Sequence, residues 1–307
     1  MALNAKTIPS DEPFLGHKAC PGCGGALALR LALKILGPRA VAVLPAGCMS
    51  AVGFNFPQLC FSCNAAISTF AGTASMLAGI AAGFEAQGIT DFKAVGFAGD
   101  GGTADIGLQA LSGAIDRNDD ILYICYDNEA YMNTGTQRSS LTPLGAATTT
   151  TPYGSAVKGN RLSKKNMFEI VTAQGIPYAA TASVGYLPDF MKKVEEAAAI
   201  RGTRYIHVIA PCPTGWGVRP DETIEIAKAG VDCGLWYLAK SEYGATTLTR
   251  NPRVFTPIGD YLRAQKRFSG ISEDDIEQLR KERDLKWSRL RGELGDAGLS
   301  GKGETRL

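Results

Sequence analysis

The chain has 307 residues, of which 45% are hydrophobic, so it can bury a core in one large or two modest domains. Its formal net charge of +2, without a basic stripe, argues against a nucleic-acid partner. Its most apolar regions carry Gly, Asn or charges and the N-terminus lacks a signal-peptide core, so we expect a cytoplasmic protein without a membrane partner.

The first predicted helix begins at a cysteine pair. Residues 1–16 form an irregular arm in this prediction, and 24–36 predicts a buried helix because it is apolar nearly all round. Cys20 and Cys23 form a CxxC that fits a thioredoxin-like redox pair, half of a zinc site or half of an iron–sulfur site. Residues 1–16 offer no strand directly before the motif, which argues against the redox pair.

More cysteines follow at a strand end and in a loop. Residues 40–44 predict a strand, and Gly47 and Cys48 follow it, at the edge where open α/β sheets bind ligands. Cys60 and Cys63 make a second CxxC. Together with the first CxxC, these thiols fit a zinc site, whereas the plainer interpretation is two loop thiols without a cofactor. Eight cysteines in an intracellular chain need an explanation other than disulfides.

The central stretch, residues 94–135, predicts a strand, a tight glycine-rich turn, a helix and a second parallel strand. The strands cover 94–98 and 121–126, and the turn is Gly99-Asp100-Gly101-Gly102. Main-chain N–H groups at Gly101 and Gly102 favour an anion such as a diphosphate. The second strand ends in Asp127-Asn128-Glu129, at the same edge of the sheet.

Oxygen ligands for a divalent metal meet at this edge. They are the Asp100 carboxylate, the Asn128 amide oxygen and a main-chain carbonyl near Ala130. Mg²⁺ takes about six oxygens and accepts several from phosphates and water. The turn with an asparagine 28 residues after Asp100 resembles a thiamine diphosphate motif, and the alternative is an ordinary strand–turn–helix.

The remaining elements complete an α/β pattern. Residues 133–165 form a long loop rich in Thr, Gly, Ser and Pro, which makes it a candidate functional segment. His207, in the last predicted core strand, is expected to be a hydrogen-bonded core residue. Further helices are predicted at 71–86, 166–174, 187–201 and 273–293, and further strands at 176–180 and 205–210. The predicted regions are an arm (1–16), an α/β domain (17–230) and a C-terminal extension (231–307).

Five segments carry a resemblance to a known family: GHKACPGCGGALALRLALKILG, PAGC, GFAGDGG, YDNEAYMNTG and APCPTGW. Over residues 16 to about 265 the chain resembles the thiamine-diphosphate-binding β subunit of 2-oxoacid:ferredoxin oxidoreductases, the pyruvate synthase group. The resemblance implies a mostly parallel sheet flanked by helices, with thiamine diphosphate, Mg²⁺ and one [4Fe–4S] cluster.

The resemblance also assigns residues. It implies that Asp100, Asn128 and the Ala130 carbonyl bind Mg²⁺, that Asn133 lies near the reactive thiazolium as the catalytic residue, and that the cluster replaces the zinc alternative. The implied cluster ligands are Cys20, Cys23, Cys48 and Cys212. The cofactor-binding residues are predicted to be Gly47, Cys48, Gly99, Asp100, Gly101, Gly102, Asn128, Ala130 and Asn133.

The implied activity is oxidative decarboxylation of a small 2-oxoacid, with electrons passing through the cluster to ferredoxin. It implies α, γ and δ subunits, or fusions of them. Pyruvate-using relatives usually carry Phe-Glu-Asn or Phe-Glu-Asp where this chain has Phe70-Ala71-Gly72, so oxalate oxidation without coenzyme A is an alternative. Longer or aromatic 2-oxoacids are not expected, because those branches tend to have shorter β chains. Two less favoured functions are a non-redox thiamine decarboxylase half and a zinc-stabilised interaction subunit.

Overall fold

The computed structural model describes residues 7–292, so residues 1–6 of the predicted arm and 293–307 of the predicted extension lie outside the described part. The strands are β1 Ala40–Pro45, β2 Phe54–Asn55, β3 Gln58–Leu59, β4 Asn64–Ser68, β5 Lys93–Gly99, β6 Leu122–Asp127, β7 Tyr178–Ser183, β8 Arg204–Ile209, β9 Ala239–Glu242 and β10 Ala245–Leu248. The α-helices are α1 Gly24–Leu36, α2 Cys48–Gly53, α3 Thr73–Ala86, α4 Asp100–Ala104, α5 Leu108–Arg117, α6 Met167–Thr172, α7 Leu187–Ala199, α8 Pro213–Trp216, α9 Thr223–Asp232, α10 Ile258–Arg263 and α11 Glu273–Leu290. Short 3₁₀ turns cover Pro220–Glu222 and Lys266–Phe268.

A mostly parallel sheet forms the centre of the molecule. Its strand order is β10-β9-β7-β8-β6-β5-β1-β4. The strands from β7 to β4 in this order are parallel, whereas β9 runs antiparallel to β7 and β10 antiparallel to β9. The predicted α/β fold with a mostly parallel sheet is confirmed.

Helices cover both faces of this sheet, because each strand alternates its side chains between two apolar layers. In β6, Leu122, Ile124 and Tyr126 pack into the layer that contains α1 and α7. Tyr123 and Cys125 pack into the opposite layer with α3 and α5. Burial on both faces explains why the parallel strands appear in the sequence as short continuous apolar runs.

One local prediction is wrong. The segment after β5 is a short helix and not only a tight turn: Gly99 is the N-cap of α4, and Asp100 is its first residue. The next helix, α5, has Gly107 as its N-cap. An added Cβ at Gly107 would lie 1.9 Å from the carbonyl oxygen of Gly102, so only glycine permits the two short helices to meet this closely.

The segment after residue 230 extends the sheet and then packs against its carboxyl edge. It adds β9 and β10 to the sheet beside β7. It then returns through α10 and α11 to the carboxyl edge of the sheet, where Arg267 contacts Glu129. Across residues 7–292, no helix combines the length and the apolar character needed to cross a membrane.

Candidate metal and cofactor site

The site lies where four adjacent strands end. The strands β8, β6, β5 and β1 are consecutive neighbours in the sheet and parallel, so their carboxyl ends meet at one edge. A cleft of about 430 Å³ opens there. All nine residues predicted to bind the cofactor line it, together with Pro45, Ala46, Phe70, Tyr126, Tyr131, Met132 and Thr134.

Three oxygen-bearing groups converge in this cleft. One terminal atom of the Asn128 amide lies 2.8 Å from the carbonyl oxygen of Ala130 and 3.2 Å from Oδ1 of Asp100. Both neighbours are acceptors. In the free chain the Asn128 amide nitrogen therefore donates hydrogen bonds to both acceptors. In the other orientation of the amide, its oxygen completes a set of three oxygens around a cation. This donor set fits Mg²⁺.

Asp100 is held in a buried setting. Its residue is 2% exposed, and its carboxylate accepts a hydrogen bond from the Ser139 hydroxyl. Burial raises the pKa of Asp100 well above its usual range, and the charge of Asp127 raises it further. A divalent cation opposes both effects, because it stabilises the ionised carboxylate. Ser139 was not predicted from the sequence as a site residue. The available signal was its position in the polar loop 133–165.

Three hydrogen bonds fix the main chain of the turn that follows β6. The Trp216 indole N–H donates to the carbonyl oxygen of Asn128 at 2.8 Å. The hydroxyl of Thr142 donates to the carbonyl oxygen of Glu129 at 2.8 Å, and the Glu129 main-chain N–H donates to Oδ1 of Asp127 at 2.9 Å. These bonds fix the backbone that presents the Asn128 and Ala130 oxygens.

A buried charge network adjoins this turn. The Lys164 ammonium lies 2.6 Å from Asp127 and 2.6 Å from Glu129, and His207 Nε2 lies 2.9 Å from Asp127 Oδ2. Burial opposes ionisation of Asp127, but Lys164 and His207 outweigh it and lower the pKa of this carboxyl. Burial lowers the pKa of His207. His207 is therefore a neutral, hydrogen-bonded core residue, as predicted.

The start of α1 lies against the end of β8. The Gly24 main-chain N–H donates to the carbonyl oxygen of Pro211 at 3.2 Å. Cys23 and Cys212 are the N-caps of α1 and α8, and each sulfur accepts a main-chain N–H from three residues later at 3.4 Å. The packing thus brings the first CxxC beside Cys212.

The four predicted cluster ligands share one neighbourhood. Burial, together with the nearby thiols of Cys212, Cys23 and Cys20, raises the pKa of the Cys48 thiol to about 12. Cys48 also lines the cleft with the three oxygen groups. A group that stabilises thiolates, as an iron–sulfur cluster does, suits this cluster of cysteines.

Cys60 and Cys63 belong to the apolar core. They are 4% and 9% exposed and pack in the same layer as Phe14. Within residues 7–292, no three His, Cys, Asp or Glu side chains lie close enough to hold a single metal ion. This counts against the four-thiol zinc alternative. A [4Fe–4S] cubane spreads its thiolates farther apart than one zinc ion does.

The fold is that of a thiamine-dependent enzyme. Residues 45–208 match the family described as thiamine pyrophosphate enzyme, C-terminal TPP binding domain, and thiamine pyrophosphate is thiamine diphosphate under another name. A solved 2-oxoglutarate:ferredoxin oxidoreductase from Magnetococcus marinus has a similar fold. The TM-score is 0.56 at 23% identity, over 69% of each chain.

Similar curated proteins identify the family within this class of enzymes. The chain is 46% identical to the pyruvate synthase subunit PorB of Methanothermobacter thermautotrophicus, over 89% of this chain and 96% of that one. It is 45% identical to the ketoisovalerate oxidoreductase subunit VorB of Pyrococcus horikoshii, over 93% and 94%. PorB of Thermotoga maritima is 38% identical over 90% of each. The chain belongs to the family of β subunits of thiamine-diphosphate-dependent 2-oxoacid:ferredoxin oxidoreductases, and it is an enzyme subunit.

The VorB match corrects one expectation about chain length. We expected the branches for longer 2-oxoacids to have shorter β chains. The match to VorB covers 94% of that protein and 93% of this one, so the expectation is wrong for this relative. Chain length therefore does not separate small from branched substrates here.

Proposed function

We propose that this chain is the β subunit of a pyruvate:ferredoxin oxidoreductase that holds Mg²⁺, thiamine diphosphate and one [4Fe–4S] cluster. The observation that carries the proposal is the convergence of the Asn128 amide, the Ala130 carbonyl and the Asp100 carboxylate in one cleft. Pyruvate is favoured because PorB relatives are named pyruvate synthase subunits.

The residues of the cleft have separate tasks in this proposal. Asp100, Asn128 and the Ala130 carbonyl hold the metal, and the main-chain N–H groups of Gly101 and Gly102 favour the diphosphate. Thiamine diphosphate supplies the electron sink for decarboxylation, and the cluster supplies a one-electron acceptor on the way to ferredoxin. The remaining cofactor contacts come from Gly47, Cys48, Gly99 and the exposed Asn133, which is the proposed catalytic residue.

The cluster ligands in the proposal are the grouped thiols of Cys20, Cys23, Cys48 and Cys212. Their support is the packing of the α1 start on Pro211 and the mutual effect of these thiols on pKa. Cys48 borders both the metal cleft and the other cysteines, so a cluster held there lies beside the cofactor. This is the arrangement that electron transfer from one to the other requires.

The proposed assembly includes α, γ and δ subunits, or fusions of them. Its support is that the relatives are named as subunits of oxidoreductases. The substrate question centres on Phe70-Ala71-Gly72, because Phe70 lines the cleft and its ring lies 5.9 Å from that of Tyr131. Oxalate is the second candidate substrate, since Ala71 replaces the glutamate that pyruvate-using relatives usually carry.

The substrate test uses the complex purified without oxygen. Reduction of ferredoxin or a viologen dye is followed with pyruvate, 2-ketoisovalerate and oxalate, each with and without coenzyme A. We expect pyruvate to give the fastest reduction and to require coenzyme A. Reduction by oxalate without coenzyme A would establish the second candidate instead, and a preference for 2-ketoisovalerate would overturn both.

The metal site has its own test. In Asp100→Ala we expect loss of Mg²⁺-dependent thiamine diphosphate binding, measured by calorimetry, because the variant lacks the charged ligand. Asp116→Ala removes an exposed carboxylate on α5 and is the matched control. Equal affinity in Asp100→Ala and the control would refute the metal site even if the complex stays active.

A further inference from the structure

The residue between the two metal-binding groups has an unusual backbone. Glu129 has a φ of +66°, in the left-handed region that L side chains other than Asn and Asp rarely adopt. It is also 6% exposed, although glutamate is almost never buried without a partner. Both features cost free energy, so other contacts must stabilise this conformation.

The side chain of Glu129 points away from the cleft into an ion-pair pocket. Its Oε1 lies 2.6 Å from the Lys164 ammonium, and its Oε2 lies 2.5 Å from Nη2 of Arg267. Arg267 is itself 6% exposed and comes from the segment between α10 and α11. A buried ion pair of this kind fixes the direction of both side chains, because separating the partners leaves a buried charge without compensation.

Arg267 holds the same turn by a second route. Its guanidinium lies 3.7 Å from the centre of the Trp216 ring. The indole of Trp216 donates to the carbonyl oxygen of Asn128 at 2.8 Å. One arginine therefore supports Glu129 directly and Asn128 through Trp216.

We propose that the Glu129–Arg267 ion pair positions the metal ligands. It holds residues 128–130 in a left-handed turn, so that the Asn128 amide and the Ala130 carbonyl face the cation while Glu129 is anchored on the opposite side. Arg267 is a positioning residue, since it acts through Glu129 and Trp216. The inference rests on the proposed function in one respect, that the cleft binds Mg²⁺ with thiamine diphosphate.

The test measures Mg²⁺ affinity in the purified complex at saturating thiamine diphosphate. We expect Arg267→Gln to weaken Mg²⁺ binding about 10–100-fold, the usual effect of losing a residue that orients metal ligands. Arg267→Lys keeps the charge but not the planar fork, so its affinity is expected to lie between wild type and Arg267→Gln. Thermal unfolding and iron content are measured on every variant.

Arg283→Gln is the matched control, because Arg283 lines the same pocket but bonds the Cys233 carbonyl and Asp284. We expect wild-type Mg²⁺ affinity for it. Wild-type affinity in Arg267→Gln, or equal weakening in Arg283→Gln, would overturn the inference while the proposed function stands. If Arg267→Gln does not assemble, wild-type affinity in Arg267→Lys overturns it. If wild type itself shows no Mg²⁺-dependent cofactor binding, the proposed function fails.

Discussion

A methyl group at Gly24 is predicted to separate two cysteine-bearing segments. An added Cβ would lie 2.9 Å from the carbonyl carbon of Ala210 and 3.0 Å from both the nitrogen and the oxygen of Pro211. These are backbone atoms, which cannot rotate aside as a side chain does. Either α1 or the segment that leads to Cys212 must therefore move, and the first CxxC moves relative to Cys212.

The magnitude follows from the overlap. Carbon atoms pack best at about 3.5–4.0 Å, so this contact is about 0.6 Å too short or more. Overpacking costs about 1–3 kcal/mol, against roughly 1 kcal/mol that alanine gains over glycine in a helix. We expect Gly24→Ala to lower the free energy of unfolding by up to about 2 kcal/mol. Iron and acid-labile sulfide per chain should fall with it.

Gly79 in α3 provides the control. In the described part of the chain, apart from Gly79 itself, its two chain neighbours and the backbone of α3, no heavy atom lies within 4 Å of a Cβ added there. Gly79→Ala should therefore leave cluster content unchanged and stabilise the helix by up to about 1 kcal/mol. Urea unfolding, with equal slopes required for the comparison, and iron analysis measure both effects. If the two glycine variants behave alike, the packing of α1 on Pro211 does not control the cysteine geometry.

Two further predictions concern the cysteines and the buried histidine. Cys212→Ser should lower iron and acid-labile sulfide but keep Mg²⁺-dependent cofactor binding, whereas Cys63→Ser should keep both; iron loss in Cys63→Ser would contradict the ligand set. Burial lowers the pKa of His207 below 6.5. As the pH falls below about 6.5, the unfolded chain therefore binds a proton at His207 more readily than the folded chain does. Stability should fall towards pH 5 by at most about 1.4 kcal/mol per pH unit. In His207→Gln that slope should flatten, and an unchanged slope in urea unfolding would assign the pH effect to another group.

The sequence predicted the parts of the fold that depend on local patterns. Strands β1, β5 and β6 are buried apolar runs, and α1 was predicted at its observed bounds because Cys23 and Gly37 delimit it. Strand β4 was missed, because it lies at an edge of the sheet and its sequence, NAAIS, carries a weaker apolar signal. An edge strand needs fewer apolar residues, because one of its sides has no neighbouring strand.

The same reasoning separates the proposed metal ligands from the residues that support them. The meeting of Asp100 and Asn128 was predictable because metal chemistry restricts residue type and parallel strands place their ends together. The role of Arg267 was not predictable, because it lies 138 residues from Glu129 in the chain. A buried charge is tolerated only when its partner is in place. We therefore expect the turn of residues 128–130 to take its final geometry, and with it the proposed metal ligands, only when the segment that carries Arg267 has packed against it.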